Sequence, residues 1–242
     1  EQIATMREAG RIVAEVLALV SEAVKPGAST LDLDRIAYEE VVRRGATPAF
    51  LGYRGYPASI CASVNSEIVH GIPRADRILR EGDIVSLDFG AVYKGYVGDS
   101  AVTVPVGHVS ARARLLLKTT EEALAIGIQK VRAGRHLGDI GAAIQRHVEA
   151  RGLSVVRKYV GHGIGERMHE PPEVPNFGEP DKGLVLAPGL VLAIEPMVNL
   201  GTWETRELDD GWTVVTADGK LSAHFEHTVA VTEDGPAVLT LP

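Results

Sequence analysis

Two seven-residue segments, Gly82-Asp-Ile-Val-Ser-Leu-Asp88 and Gly189-Leu-Val-Leu-Ala-Ile-Glu195, share one pattern: a glycine, an apolar run and a terminal carboxylate. From 82 to 189 and from 88 to 195 the offset is 107 positions. The same offset links Gly27, Asp32, Val41, Arg44 and Gly45 to Gly134, Asp139, Val148, Arg151 and Gly152. One offset serving two separate stretches implies a chain built from two related halves. Each half then carries an acidic residue into a buried strand, where an unpaired carboxylate costs several kcal/mol. A positive group must sit between the halves, and the expectation is a metal site on a pseudo-twofold axis.

The bulk properties allow this. At 242 residues with 45% apolar content, a substantial core can form within one α/β-type unit. A formal charge of −7 argues against stable nucleic-acid binding or docking on an anionic membrane. Cys61 is the single cysteine, so an internal disulfide and a cysteine-based zinc site are excluded. No apolar run approaches the roughly 20 residues that span a bilayer. The opening EQIATMREAGRIVAEVLALV mixes acidic and basic residues along an amphipathic pattern, unlike a signal peptide, and a cytoplasmic location is expected.

Helical spacing of Ile3, Met6, Val13, Val16, Leu17 and Val20 predicts a helix over 3–24, stopped by Lys25-Pro26-Gly27. Ser29 or Thr30 caps a second helix running to Arg44, which Gly45 ends. Residues 46–60 read as a loop. Residues 84–89 and 97–106 alternate as strands around a Lys94-Gly95 turn. The second half repeats the plan, with helices over 110–132 and 137–151 and strands near 155–160, 190–197, 212–216 and 225–232. Gly98-Asp-Ser-Ala-Val-Thr-Val resembles Phe225-Glu-His-Thr-Val-Ala-Val at an offset of 127 (99 to 226), so about twenty residues are added near 199–221, as a hairpin or small lobe. The expectation is a single α+β domain over 1–242, with duplicated halves of about 1–107 and 108–242.

Asp88 ends one strand of the first hairpin and Asp99 lies on the other, so the two carboxylates can face each other. Glu195 and Glu226 are their counterparts. A lone carboxylate at a strand end is most often solvated or paired with a basic residue. Four in repeat-related positions would repel strongly in a low-dielectric interior, and two divalent cations would neutralise them. Such an oxygen-rich set favours Mn(II), Fe(II) or Co(II) over a closed zinc site. His162, within Gly161-His-Gly-Ile-Gly165, offers nitrogen in a stretch whose glycines let the backbone approach closely. His169 and His70 are further candidates for the same cleft. His108, His136, His147, His224 and His227 are read as surface or packing residues, and alternation turns His227 away from its neighbour Glu226.

The segments VHGIP, SLDFG, GDSAVT, GHGIG, MHEPP, AIEPM and FEHT, in this order across the whole chain, resemble the methionine aminopeptidases, and among them the bacterial type I enzymes. The resemblance implies the pita-bread fold, a curved antiparallel sheet with helices on its outer face. It implies a dinuclear centre held by Asp88, Asp99, His162, Glu195 and Glu226. Asp99 and Glu226 would bridge, His162 would bind one ion and Asp88 would chelate the other. Glu195 would also handle protons, with a metal-activated bridging water as nucleophile. His169 would support the scissile carbonyl, and His70 would orient the substrate or help protonate the leaving amine. Tyr53, Tyr56, Cys61, Phe177 and Trp212 match the family's methionine pocket in type or closely so; without the match, each reads as core packing. Cys61 is disfavoured as a nucleophile, because no partner triad is evident. Asn65 and Ser222 resemble positions that hold a Na or K ion in related enzymes.

The implied activity is removal of the initiator methionine ahead of a small second residue. Nascent chains and, transiently, the ribosome are the implied partners, and a monomer the implied state. Prolidases and proline-specific aminopeptidases share fold and ligands but usually add an N-terminal domain. Type II methionine aminopeptidases carry a larger helical insertion. A non-catalytic binding relative would lose ligands and gain basic surface. Residues 203–210 are given no role.

Overall fold

The computed structural model describes residues 1–242. The first half runs α1 (Gln2–Glu22), α2 (Thr30–Arg43), β1 (Thr47–Pro48), β2 (Cys61–Val64), β3 (Glu67–Val69), β4 (Ile84–Tyr93) and β5 (Tyr96–Pro105). The second begins with α3 (Ala111–Ile128), α4 (Leu137–Glu149), β6 (Ser154–Val155), β7 (Gly161–Gly163), β8 (Glu170–Val174) and β9 (Val191–Ile194). It ends with β10 (Met197–Asn199), β11 (Thr205–Glu207), β12 (Val214–Thr216), β13 (Ser222–His224), β14 (Glu226–Thr232) and β15 (Gly235–Val238).

Local chemistry explains the helices. Ser29 caps α2 reciprocally: its hydroxyl accepts from the Asp32 N–H, and the Asp32 carboxylate accepts from the Ser29 N–H. The helix closes at Arg43, with Gly45 left-handed beyond it. α3 stops earlier than the apolar spacing predicts. Val131 continues that spacing, but its N–H bonds the Ile128 carbonyl in a three-residue turn. α1 lies directly on β5, because Gly10 and Gly98 face each other: a Cβ on Gly98 would come within 2.8 Å of the Gly10 nitrogen.

Nine strands form one antiparallel sheet ordered β1-β4-β5-β14-β9-β7-β8, with β2 beside β4 and β15 beside β14. The β4–β5 hairpin turns at Lys94 and Gly95, both with positive φ, as a two-residue turn requires. The two halves join where β5 meets β14. One apolar cluster, including Val13, Leu33, Leu87 and Phe89, lies under α1 and α2; another, including Leu116, Ile140, Leu192 and Val229, lies under α3 and α4. This is the pita-bread architecture that the family resemblance implied, and its two halves follow the same order of two helices and then strands, as the repeat implied.

Several details differ from expectation. The 46–60 segment is not wholly loop: Thr47 and Pro48 pair with Val92 and Ala91, and a short 3-10 turn spans Tyr53–Gly55. The strand near 155–160 shortens to Ser154–Val155, and the next pairing begins only at Gly161. The added residues do form a hairpin, β11–β12, and β12 docks on β3.

Candidate metal centre

Strand register assembles the carboxylates. Asp99 stands opposite Gly90, two positions from Asp88 on β4, so the two acids lie diagonally on one face of the sheet rather than directly across. Asp88 and Glu226 both stand opposite Ala101, one strand to either side. Glu195 follows the end of β9, beside β14. A Cβ on Gly90 would come within 2.8 Å of Met168, so the glycine lets that side chain close over the sheet next to Asp99.

His162 sits on β7, between β8 and β9. A Cβ at Gly161 would fall 2.3 Å from the Ala193 carbonyl oxygen, and one at Gly163 2.2 Å from that of Pro171. The two glycines are what allow three strands to close around the histidine. Nδ1–H of His162 donates to the Gly163 carbonyl at 2.9 Å, leaving Nε2 directed at Glu195 Oε1 (3.4 Å) and Asp99 Oδ2 (3.9 Å). Burial lowers the pKa of this imidazole, which keeps it neutral and able to ligate.

Electrostatics explain why these groups need a cation. Asp99 is 4% and Glu226 2% exposed. Burial pushes the Asp99 carboxyl up to about 7, only partly offset by the Ser100 N–H. It holds Asp88, Glu195 and Glu226 well above the usual carboxylate range, with mutual repulsion adding to each. Asp88 Oδ1, Asp99 Oδ1 and Glu226 Oε1 are buried with no hydrogen-bond partner. Asp99, His162 and Glu226 bring one donor atom each to within 4.8 Å of one another. Orphaned oxygens and one imidazole nitrogen around a shared space fit divalent cations of the Mn, Fe or Co type.

All five of these residues line one cavity of about 200 Å³, together with His70, His169, Tyr53, Tyr56, Cys61 and Trp212. The Tyr53 hydroxyl and His169 Nδ1 are 2.9 Å apart, and the His169 ring centroid is 4.2 Å from that of His162. Burial, with His162, Arg54 and His70 nearby, lowers the His169 pKa to about 4. His70 has φ +61° and sets its ring edge-on to Tyr159 and Trp212. Tyr56 packs edge-on against Trp212, which the β11–β12 hairpin delivers. Burial raises the Cys61 thiol pKa well above its ordinary value, with Asp88 adding to it, so the residue is an apolar wall and not a nucleophile. Sequence reasoning had not named Phe50, Met168, Tyr159 or Met197, which also line the cavity.

Three assignments change or gain detail. Phe177 does not line the cavity. Its backbone rests on α4, where a Cβ on Gly141 would lie 2.4 Å from the Phe177 carbonyl oxygen, and its ring stacks near Arg157 instead. His224 is neither a surface nor an ordinary packing residue. It is buried, with Nε2 3.8 Å from Glu195 Oε2 and from Glu226 Oε2. A three-residue strand without periodicity gave no signal for it. Asn65 and Ser222 do come together, through a Ser222 N–H to Asn65 carbonyl bond. Their side chains are engaged elsewhere: Asn65 with Asp83 and the Ile84 N–H, Ser222 with the Val198 carbonyl. His227 is turned from the centre onto Thr240, as alternation required.

A model of metallopeptidase family M24 matches residues 4–233. The chain is 53% identical over 240 residues to a methionine aminopeptidase of Clostridium perfringens, covering 99% of this chain and 96% of that one. It is 46% identical over 242 residues to the Escherichia coli methionine aminopeptidase, covering 100% and 92%. The crystal structure of the Thermotoga maritima methionine aminopeptidase superposes with a TM-score of 0.98 at 45% identity, covering 100% of this chain and 97% of that one. Prolidase from Pyrococcus furiosus, at 23% identity and a TM-score of 0.81, shares the fold over 64% of its length.

Proposed function

The chain belongs to metallopeptidase family M24, and from that premise we propose that it removes the N-terminal methionine of newly made polypeptides, preferring a small second residue. The observation that carries this reading is one cavity with two unlike parts. Four elevated-pKa carboxylates and His162 share its lining with Tyr56, Cys61 and Trp212, an apolar wall that begins at Cys61, directly across the strand pair from Asp88, and is suited to an unbranched thioether.

Asp88, Asp99, His162, Glu195 and Glu226 would hold the divalent ions. The chemistry such ions would supply there is a water acidified towards neutrality, which would serve as the nucleophile. The remaining work falls to the protein. Glu195 takes the proton from the attacking water and delivers it to the leaving amine. The Tyr53 hydroxyl is hydrogen-bonded to His169 Nδ1; with the phenol as donor the ring proton stands on Nε2, from which it donates to the oxyanion that forms on the scissile carbonyl. His70 orients the substrate main chain. The ions used are Mn(II), Fe(II) or Co(II), and a monovalent ion near Asn65 and Ser222 would be held by backbone carbonyls, since both side chains are engaged. One catalytic unit acting as a cytoplasmic monomer on chains emerging from the ribosome completes the proposal.

Release of methionine from Met-Ala-Ser by metal-stripped protein, before and after addition of Mn(II) or Co(II), tests it. Metal-dependent release with Ala-Pro untouched is expected. Cleavage of Ala-Pro alone would move the chain to the proline-specific branch. Glu195→Gln is expected to abolish turnover with the fold intact, and an active variant would refute the proton-handling role.

A further inference from the structure

His224 meets the centre from behind. Its backbone is clamped: the N–H donates to Thr103 Oγ1 at 2.8 Å, and the Thr103 hydroxyl donates to the His224 carbonyl at 2.7 Å. Ser86 Oγ lies 2.8 Å from Thr103 Oγ1 and completes the clamp. The residue is 1% exposed, and neither ring nitrogen has a hydrogen-bond partner. Nε2 lies 3.8 Å from Glu195 Oε2 and 3.8 Å from Glu226 Oε2. His162 lies against the other oxygen of Glu195, Oε1, at 3.4 Å. The five residues assigned as ligands line the cavity; His224 does not.

We propose that His224 is a positioning residue whose Nε2–H, shared between the rear oxygens of Glu195 and Glu226, holds both carboxylates with their other oxygens towards the cavity. The proposal rests on the metallopeptidase reading above. A buried imidazole left without a partner costs about 1–3 kcal/mol, and two carboxylate oxygens lie within 4 Å of its Nε2. The spacing is ~0.8 Å beyond a normal N–H···O bond, and the terminal torsion of a glutamate is broad enough to close it. A carboxylate that ligates through one oxygen presents the other to its surroundings, and donors to that second oxygen are worth about 10–100-fold in metal affinity. Equal distance to two different glutamates suits one donor that aligns both. Glu195, His224 and Glu226 also bring one donor atom each to within 4.8 Å of one another, but His224 stands outside the cavity lining that the other five share, which suits a donor to the carboxylates over a further ligand.

The test compares Mn(II) and Co(II) binding, by competition with a chromophoric chelator, in the wild type, His224→Leu and His224→Gln. Leucine removes the donor, whereas glutamine retains an N–H at similar reach. Binding about 10–100-fold weaker in the leucine variant, with the glutamine variant close to wild type, is expected. Equal loss in both variants, or none in either, overturns the proposal. Should the leucine variant fail to fold, ¹⁵N spectra of the wild-type imidazoles with Zn(II) bound decide the matter. A proton on His224 Nε2 is the expected result, and a metal on that nitrogen would make the residue a ligand and overturn the inference. Wild-type protein that binds no divalent ion would sink the metallopeptidase reading together with this one; wild-type binding with an unaffected leucine variant sinks this one alone.

Discussion

At the scale of single residues, the Tyr53–His169 pair decides how the oxyanion would be met in the proposed reaction. With its pKa lowered to about 4, His169 is neutral throughout the range in which an aminopeptidase works, so it can only donate a hydrogen bond from whichever nitrogen carries the proton. The Tyr53 hydroxyl at 2.9 Å from Nδ1, acting as donor, leaves the proton on Nε2. Tyr53→Phe leaves the ring stacked on His169 but removes the selection. We expect kcat to fall about tenfold, equivalent to ~1.4 kcal/mol, with KM little changed. An unchanged kcat would mean that the tautomer is set elsewhere. Neither partner needed the other to be found in the sequence: His169 stands in the MHEPP segment, and Tyr53 matches a position of the family's methionine pocket. The hydrogen bond joining positions 116 apart was not legible, because only the packing of the Tyr53–Gly55 turn against the segment before β8 creates it. His224 was missed for the same reason. Its importance lies in facing Glu195 and Glu226, and that follows from the docking of a three-residue strand.

At the scale of elements, legibility tracked periodicity and turn chemistry. Both helix pairs and the β4–β5 hairpin could be read, since apolar spacing, the Ser29 cap and the Lys94-Gly95 turn each have a local physical signature. β7 could not be read as a strand, because Gly-His-Gly is poor in every residue that favours one. Those glycines are required by neighbours distant in sequence, and this gives a prediction. In Gly163→Ala the new Cβ would meet the Pro171 carbonyl oxygen, and backbone cannot swing aside as a side-chain tip can. Strands β7 and β8 must separate, which displaces His162. The expected result is a loss of about 2–4 kcal/mol of stability together with weakened metal binding. A variant with wild-type melting temperature and metal affinity would show that the three-strand closure does not hold the ligand in place.

At the scale of the whole molecule, the repeat places two acids from each half against one another, so the junction of the halves is also where folding meets the strongest repulsion. The carboxyl of Asp99 is raised to about 7 from an ordinary value near 3.8, and those of Asp88, Glu195 and Glu226 are raised as well. A folded-state pKa above the unfolded one contributes stability that is complete below the unfolded value and is lost as pH rises through the folded value. For Asp99 that window runs from about pH 4 to 7. Bound cations reverse the balance, since they favour the ionised carboxylates that protons otherwise neutralise. His227 works in the opposite sense: burial lowers its pKa to about 4, so its contribution is lost as pH falls from about 6.5 through 4. It faces Thr240, away from the centre, and acts alike in metal-stripped and metal-loaded protein, so it cancels in their difference. That difference is the quantity to measure. Calorimetric melting at pH 5, 6 and 7, with and without Mn(II), should show a metal-induced rise in Tm that grows with pH. At one fixed Mn(II) concentration, chosen as 100 times the Kd at pH 7, the metal should contribute about 2.7 kcal/mol at pH 7 and less at pH 5 and 6. A rise that is constant or shrinks towards pH 7 would mean that the ions are bound by groups already ionised in the metal-free fold, and the four buried acids at the junction of the halves would no longer be the ligands.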